Sequence, residues 1–230
     1  NDVVQIRGNF LGAGWDPQVD QAFSIAQPHF IDNLAGNPIF DVDGSQLTIG
    51  FGGIDNTSGT TQNVSTPIRL SADQTWTTTN HVNVYGSISA TSSSHDLSKN
   101  GNGHLRLRSP NSYTGDTNIY DGTLVVIGAG RLSDSTDVFV DSGAEFNVQV
   151  ADAIWSLTGT GNVNLATSGT KLVVGNSGNA GGTGSFGGSI EGPGNFSKRG
   201  SGTHYWSGNA VHSGETRIEE GTLYAYSGAL

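Results

Sequence analysis

The chain has 230 residues, no cysteine, no methionine, 35 glycines, and 20 acidic against 10 basic residues for a net charge of −10. The lack of cysteine excludes a disulfide scaffold or a thiolate metal site. The acidic balance argues against nucleic acid as a partner, because phosphate binding needs a basic surface.

No apolar run approaches the ~18 residues that a membrane-spanning helix needs. Apolar residues instead sit in short alternating runs bounded by Gly and Asn, the mark of strands and turns rather than of disorder. Only residues 19–30 carry a faint helical period, so the chain reads as all-β. A first residue of Asn1 rather than Met is expected for a processed mature chain.

Residues 1–37 stand apart from the rest. They hold Phe10, Trp15, Phe23 and Phe30 without the Gly-Thr-Leu pattern found later. Solenoid ends are atypical because an exposed strand edge must be covered, so this segment reads as an N-terminal cap or docking extension. Residues 38–230 read as the solenoid proper. Strands are predicted at Pro38 to Asp43 and Gln46 to Ile49 around an Asp43-Gly44 turn. Others follow at Pro67 to Leu70, Gln74 to Trp76, Val82 to Tyr85, Val138 to Val140, Glu145 to Val148, Ile154 to Leu157, Val163 to Leu165 and Leu172 to Val174.

Two long repeats, at about 86–126 and 188–225, dominate the text. Ser98-Lys99-x-Gly101-x-Gly103 and Gly115-x-Thr117-x-Ile119-x-x-Gly122-Thr123-Leu124 recur 99 residues later, without a gap. The second copy is Ser197-Lys198-x-Gly200-x-Gly202 and Gly214-x-Thr216-x-Ile218-x-x-Gly221-Thr222-Leu223. Short strands with glycine turns cannot bury an apolar side alone and must stack on their neighbours. The glycines are expected at corners, which need positive φ or close backbone approach. With about 20–25 residues per coil, the chain makes roughly 9–10 coils in a rod about 45 Å long.

Leu97-Ser98-Lys99-Asn100-Gly101-Asn102-Gly103-His104-Leu105, then Tyr113-Thr114-Gly115-Asp116-Thr117, then Gly122-Thr123-Leu124, resembles the autotransporter-associated β-strand repeat, also called the passenger-associated transport repeat. The second copy departs from that pattern. His212 stands at the Tyr position, and Thr203-His204-Tyr205-Trp206 replaces the L-x-L strand. The resemblance implies a right-handed parallel β-helix exported to the bacterial cell surface or beyond it. It implies no activity.

Other chemistry is weakly signalled. Asp41, Asp43 and Asp55, and Asp134, Asp137 and Asp141, match no calcium loop and read as turn residues. The six histidines lack zinc spacing. Glu215, Glu219 and Glu220 beside Arg217 lack the signature of a hydrolytic carboxylate pair. No catalytic residue, metal ligand or cofactor is therefore expected. The expected role is a non-catalytic extracellular stalk, or a subunit that stacks end to end on copies of itself. Phe10, Trp15 and Phe23 would meet Leu223, Tyr224, Tyr226 and Leu230 in that contact. The alternative is a passenger adhesin binding surface glycans through a stacking surface drawn from Trp15, Trp76, Trp155 and Trp206 with Tyr113, Tyr120, Tyr205, Tyr224 and Tyr226, and a remoter one is a polysaccharide-active enzyme.

Overall fold

The computed structural model describes residues 3–6, 18–19, 23–30, 40–93, 95–176, 181 and 183–226, with side chains placed at 24–28 and from 45 onward within these ranges. Among the described residues there are strands and turns but no helix. Among the described residues every strand pairing is parallel, and each coil visits three faces in turn. Face I is an 11-stranded sheet and face II a 9-stranded sheet. Face III comprises two four-stranded sheets, with the parallel bridge Pro110 to Arg131 in the stretch between them. The molecule is a β-solenoid.

Strand alternation builds the core. On face II, Val82, Leu105, Leu124, Phe146, Val163 and Ile190 stand in register on successive rungs, all of them buried. Each such side chain contributes about 1.5–3 kcal/mol relative to exposure. Their neighbours Arg106, Asn147 and Asn164 point outward, as a period of two requires. Coil length is uneven, from the 17 residues between Glu145 and Asn162 to the 27 between Gly159 and Phe186.

The faint helical period over 19–30 is overridden. Phe23–Ile25 and Gln27–Phe30 are strands, because each finds a parallel partner in the next coil. Val3–Ile6 pairs with Gln27–Phe30 and Gln18–Val19 with Phe40–Gly44, so these strands enter the same ladders as the coils that follow. The boundary expected at residues 37 and 38 lies outside the described residues. Asp43-Gly44 ends the strand Phe40–Gly44 rather than forming a separate turn.

The two repeat copies occupy different faces. In the first, Leu97–Asn100 and Thr117–Ile119 stack on face I, and His104–Leu107 and Thr123–Val126 on face II. In the second, Asn195–Lys198 and Thr216–Ile218 stack on face III, and Thr203–Trp206 and Thr222–Ala225 on face I. The recurring text therefore encodes two stacked strand pairs and the corner between them, not a whole coil. Any corner of the solenoid can take it.

That corner has a buried cation at its centre. Lys99 sits in an inward column of face I, between Trp76 and Ile119, and is 1% exposed. Its ammonium donates to the carbonyls of Asn100 (2.9 Å), Gly101 and Asp121 (2.9 Å). Lys198 is equally buried and donates to the carbonyls of Arg199 and Gly200. Burial lowers both ammonium pKa values, that of Lys99 to about 8, with Asp121 opposing, and that of Lys198 against the pull of Glu220. Gly101 and Gly122 have φ of 76° and 66°, and Gly200 and Gly221 repeat this at 74° and 73°. A Cβ on Gly122 would lie 2.4 Å from the Gly101 carbonyl oxygen, so the corner demands glycine.

Candidate binding surface

The inward column Thr117, Val138 and Leu157 anchors three neighbouring strands of face I. Alternation then turns Asn118, Phe139 and Thr158 outward in one row. Asp116 and Asp137 flank that row at the strand entries, and Tyr120 flanks it at the exit. These six side chains line an open groove of about 350 Å³, at the lower end of the range of roughly 300–1,000 Å³ for small-ligand sites.

One wall of the groove is aromatic. The Tyr120 and Phe139 rings are 5.9 Å apart and tilted by 56°, and Tyr120 is 46% exposed. The other edge is acidic. Burial raises the Asp116 carboxyl pKa, helped by Asp96 and Asp137. Asp96 accepts the Asp116 backbone N–H at 2.7 Å, and Asp137 accepts the Ser156 hydroxyl at 2.5 Å. An apolar ring beside oriented carboxylate and amide groups can stack on one face of a sugar and accept hydrogen bonds from its hydroxyls.

The corner and the groove together show how the second copy keeps its register despite its substitutions. Tyr113 is buried and shares a 2.8 Å hydrogen bond with the Thr117 hydroxyl. His212, at the matching position, makes the same contact with Thr216 at 2.9 Å. His204 and Trp206 take the inward places of Leu105 and Leu107, and Tyr205 points outward.

Two segments of the chain, residues 97–126 and 196–225, match the family described as the passenger-associated-transport-repeat. The chain carries two passenger-associated-transport-repeats. This repeat protein is also 39% identical over 132 residues to the adhesin BmaC autotransporter of Brucella suis biovar 1 (strain 1330), across 55% of this chain and 4% of that protein. The chain thus spans a small fraction of that relative's length. No solved structure matches the repeat protein.

The residues singled out in the repeat protein's sequence fall into distinct places. Lys99, Lys198, Gly101, Gly200, Gly122 and Gly221 build the corners. Gly103, Gly115, Gly202 and Gly214 adjoin them, with Thr117, Thr216, Leu124 and Leu223 on the flanking strands. Of the suggested end contacts, Phe10, Trp15 and Leu230 lie outside the described residues. Phe23 lies on a face III strand paired with Leu47–Ile49. Leu223 packs partly buried against the core, and Tyr224 and Tyr226 are exposed. Tyr205 and Tyr224 stack on successive rungs, 5.3 Å apart and 10° from parallel.

Trp76 and Trp206 are core residues. Glu219 is not merely solvated. It holds both Lys171 and Arg199 at 2.5 Å, and hydrogen bonds from these two cations lower its pKa to about 2. Among the described residues, no group of three or more His, Asp or Glu could hold a metal ion. Sequence reading missed Asp116, Asn118, Phe139 and Thr158 as a set, because only stacking of successive coils joins them.

Proposed function

We propose that this chain is a non-catalytic segment of a passenger displayed outside the cell. In this reading it is a rigid β-solenoid stalk whose face I also adheres to saccharide. The observation that carries the adhesive part is the Tyr120–Phe139 wall facing Asp116 and Asp137 across an open groove. The two transport repeats and the similarity to an autotransporter adhesin support a passenger-type surface protein. A mid-rod groove leaves both ends free to continue the solenoid.

The test is a glycan array probed with the purified chain, followed by titration of Tyr120→Ala and Phe139→Ala. Retention of neutral oligosaccharides that both variants lose supports the reading. Lack of retention, or retention unaffected by the variants, sinks its adhesive part. Leu223, Tyr224 and Tyr226 would serve a following coil of the same polypeptide or a second copy equally well. Electron microscopy separates the two: fibres with an axial repeat near one chain length would establish end-to-end assembly, and isolated rods would establish a stalk segment.

A further inference from the structure

We propose a second ligand site, on face II, that takes the sulfate or carboxylate groups of an acidic saccharide. Its core is Arg106 and Arg108, which point outward from the single strand His104–Leu107 and the residue after it. His81 and His104 lie beside them on successive rungs, with rings 4.5 Å apart. Arg108 lies over the Tyr85 ring at 5.0 Å from its centroid. Two arginines, two histidines and an exposed tyrosine thus share one patch on a chain whose net charge is −10.

The two arginines of the patch lack the compensation given to four other cations of this protein, although the Glu145 charge bears on His104. Lys171 and Arg199 share Glu219, and Lys99 and Lys198 are enclosed by carbonyls. Among the described residues, neither Arg106 nor Arg108 has a carboxylate at ion-pair distance. Glu145 stands in the His104 column but two rungs away, about 9.5 Å along the stack. It is already engaged by the Asn147 amide at 2.6 Å. Arg106 instead donates toward His104 Nδ1 at 3.3 Å, and burial, reinforced by the Arg108 charge, lowers its pKa. Like charges at neighbouring positions on one sheet face repel, and an oxyanion bound between them would relieve that repulsion.

The guanidinium fork pairs with sulfate and carboxylate through two parallel hydrogen bonds. The patch lies on an open sheet face, so it suits an extended ligand better than an enclosed one. The 44% exposed Tyr85 ring adds a surface on which a sugar ring can stack. The acidic remainder of the protein repels long polyanions at a distance, which favours a short acidic saccharide over a long nucleic acid.

Isothermal titration of the full chain with a heparin-derived hexasaccharide tests the site. A neutral dextran hexasaccharide, hexaglutamate and a six-nucleotide single strand serve as comparators. The expected result is binding of the sulfated sugar alone, weakened about tenfold or more by Arg106→Gln or Arg108→Gln. Arg106→Lys should give a smaller loss, and Tyr120→Ala on face I should leave this binding intact even if the neutral-glycan reading fails. Both arginines are partly exposed, and unchanged thermal unfolding will verify that the variants fold. Absence of binding, or binding unchanged in the double Gln variant, overturns the proposal. Equal binding of hexaglutamate or the oligonucleotide also overturns it, in favour of a generic anion surface.

Discussion

The Lys99 ammonium meets the main-chain carbonyl of Asp121, 22 residues later, at 2.9 Å, and so ties one coil to the next from inside the corner. The same ammonium caps the carbonyls of Asn100 and Gly101. A charge this deep is tolerated because three oxygens surround it. Methionine would fill the same volume but leave those oxygens without their donor. Lys99→Met is therefore expected to lose about 2–3 kcal/mol, the scale of hydrogen bonds to a charged group. Urea unfolding at neutral pH measures this, and an unchanged midpoint would mean that the cation is not what holds the corner.

Two glycines separate backbone strain from steric contact. Gly122 and Gly143 both have positive φ, 66° and 86°. A Cβ on Gly122 would collide with two carbonyl oxygens at 2.4 and 2.5 Å, whereas one on Gly143 would meet nothing within 4 Å. Gly143→Ala should cost only the left-handed conformation, about 1–2 kcal/mol. Gly122→Ala should cost clearly more, because the stacked coil must shift as well. Equal losses in parallel denaturant melts would show that the close approach is relieved without cost.

What could be read from the sequence follows from how far apart the cooperating residues lie. The pair Leu105 and Leu107 announces its inward alternation within three residues, and Gly101 announces a corner. The phase of the coils is hidden, because coil length varies while the repeat text marks only a corner. Hence nothing in Ser197-Lys198 tells that it stands on face III while Ser98-Lys99 stands on face I. Lys99 reads as a surface residue by type, and only the carbonyls converging on it make its burial possible. Tyr120 and Phe139 are ordinary strand aromatics until stacking brings their rings to 5.9 Å. Arg106 and His81 likewise belong to different coils.

The exchange of Tyr for His between the repeats is conservative in one specific sense. Tyr113 bonds Thr117, and His212 bonds Thr216, at nearly the same length. His212→Tyr should therefore stay within about 0.5 kcal/mol of the parent. His212→Leu should lose about 1 kcal/mol with the hydrogen bond. Thermal melts of the two variants decide this. A Leu variant as stable as the Tyr variant would show that the position needs only bulk.

Two buried groups push the stability of the fold in opposite directions with pH. Burial, with Lys198 nearby, lowers the His204 pKa from 6.5 to about 4. Between those values the unfolded chain takes a proton that the folded chain refuses, so this group makes stability fall as pH falls from 6.5 toward 4. Burial raises the Asp152 pKa from 3.8 to about 7, against its backbone hydrogen bonds from Leu132 and Ala153. Here the folded chain keeps a proton that the unfolded chain releases, so stability falls as pH rises from 3.8 toward 7. The two slopes oppose each other across much of the same window and mask one another in the parent protein. His204→Leu, which restores the residue of the first repeat, should gain on the parent as pH drops, on the order of 3 kcal/mol by pH ~4. Asp152→Asn should gain as pH rises, on the order of 4 kcal/mol by pH ~7. Urea melts of the three proteins across this range test both signs. Stability curves parallel to that of the parent would show that neither group titrates differently in the folded chain, and diverging curves would locate the acid sensitivity in the His204 corner of the second repeat.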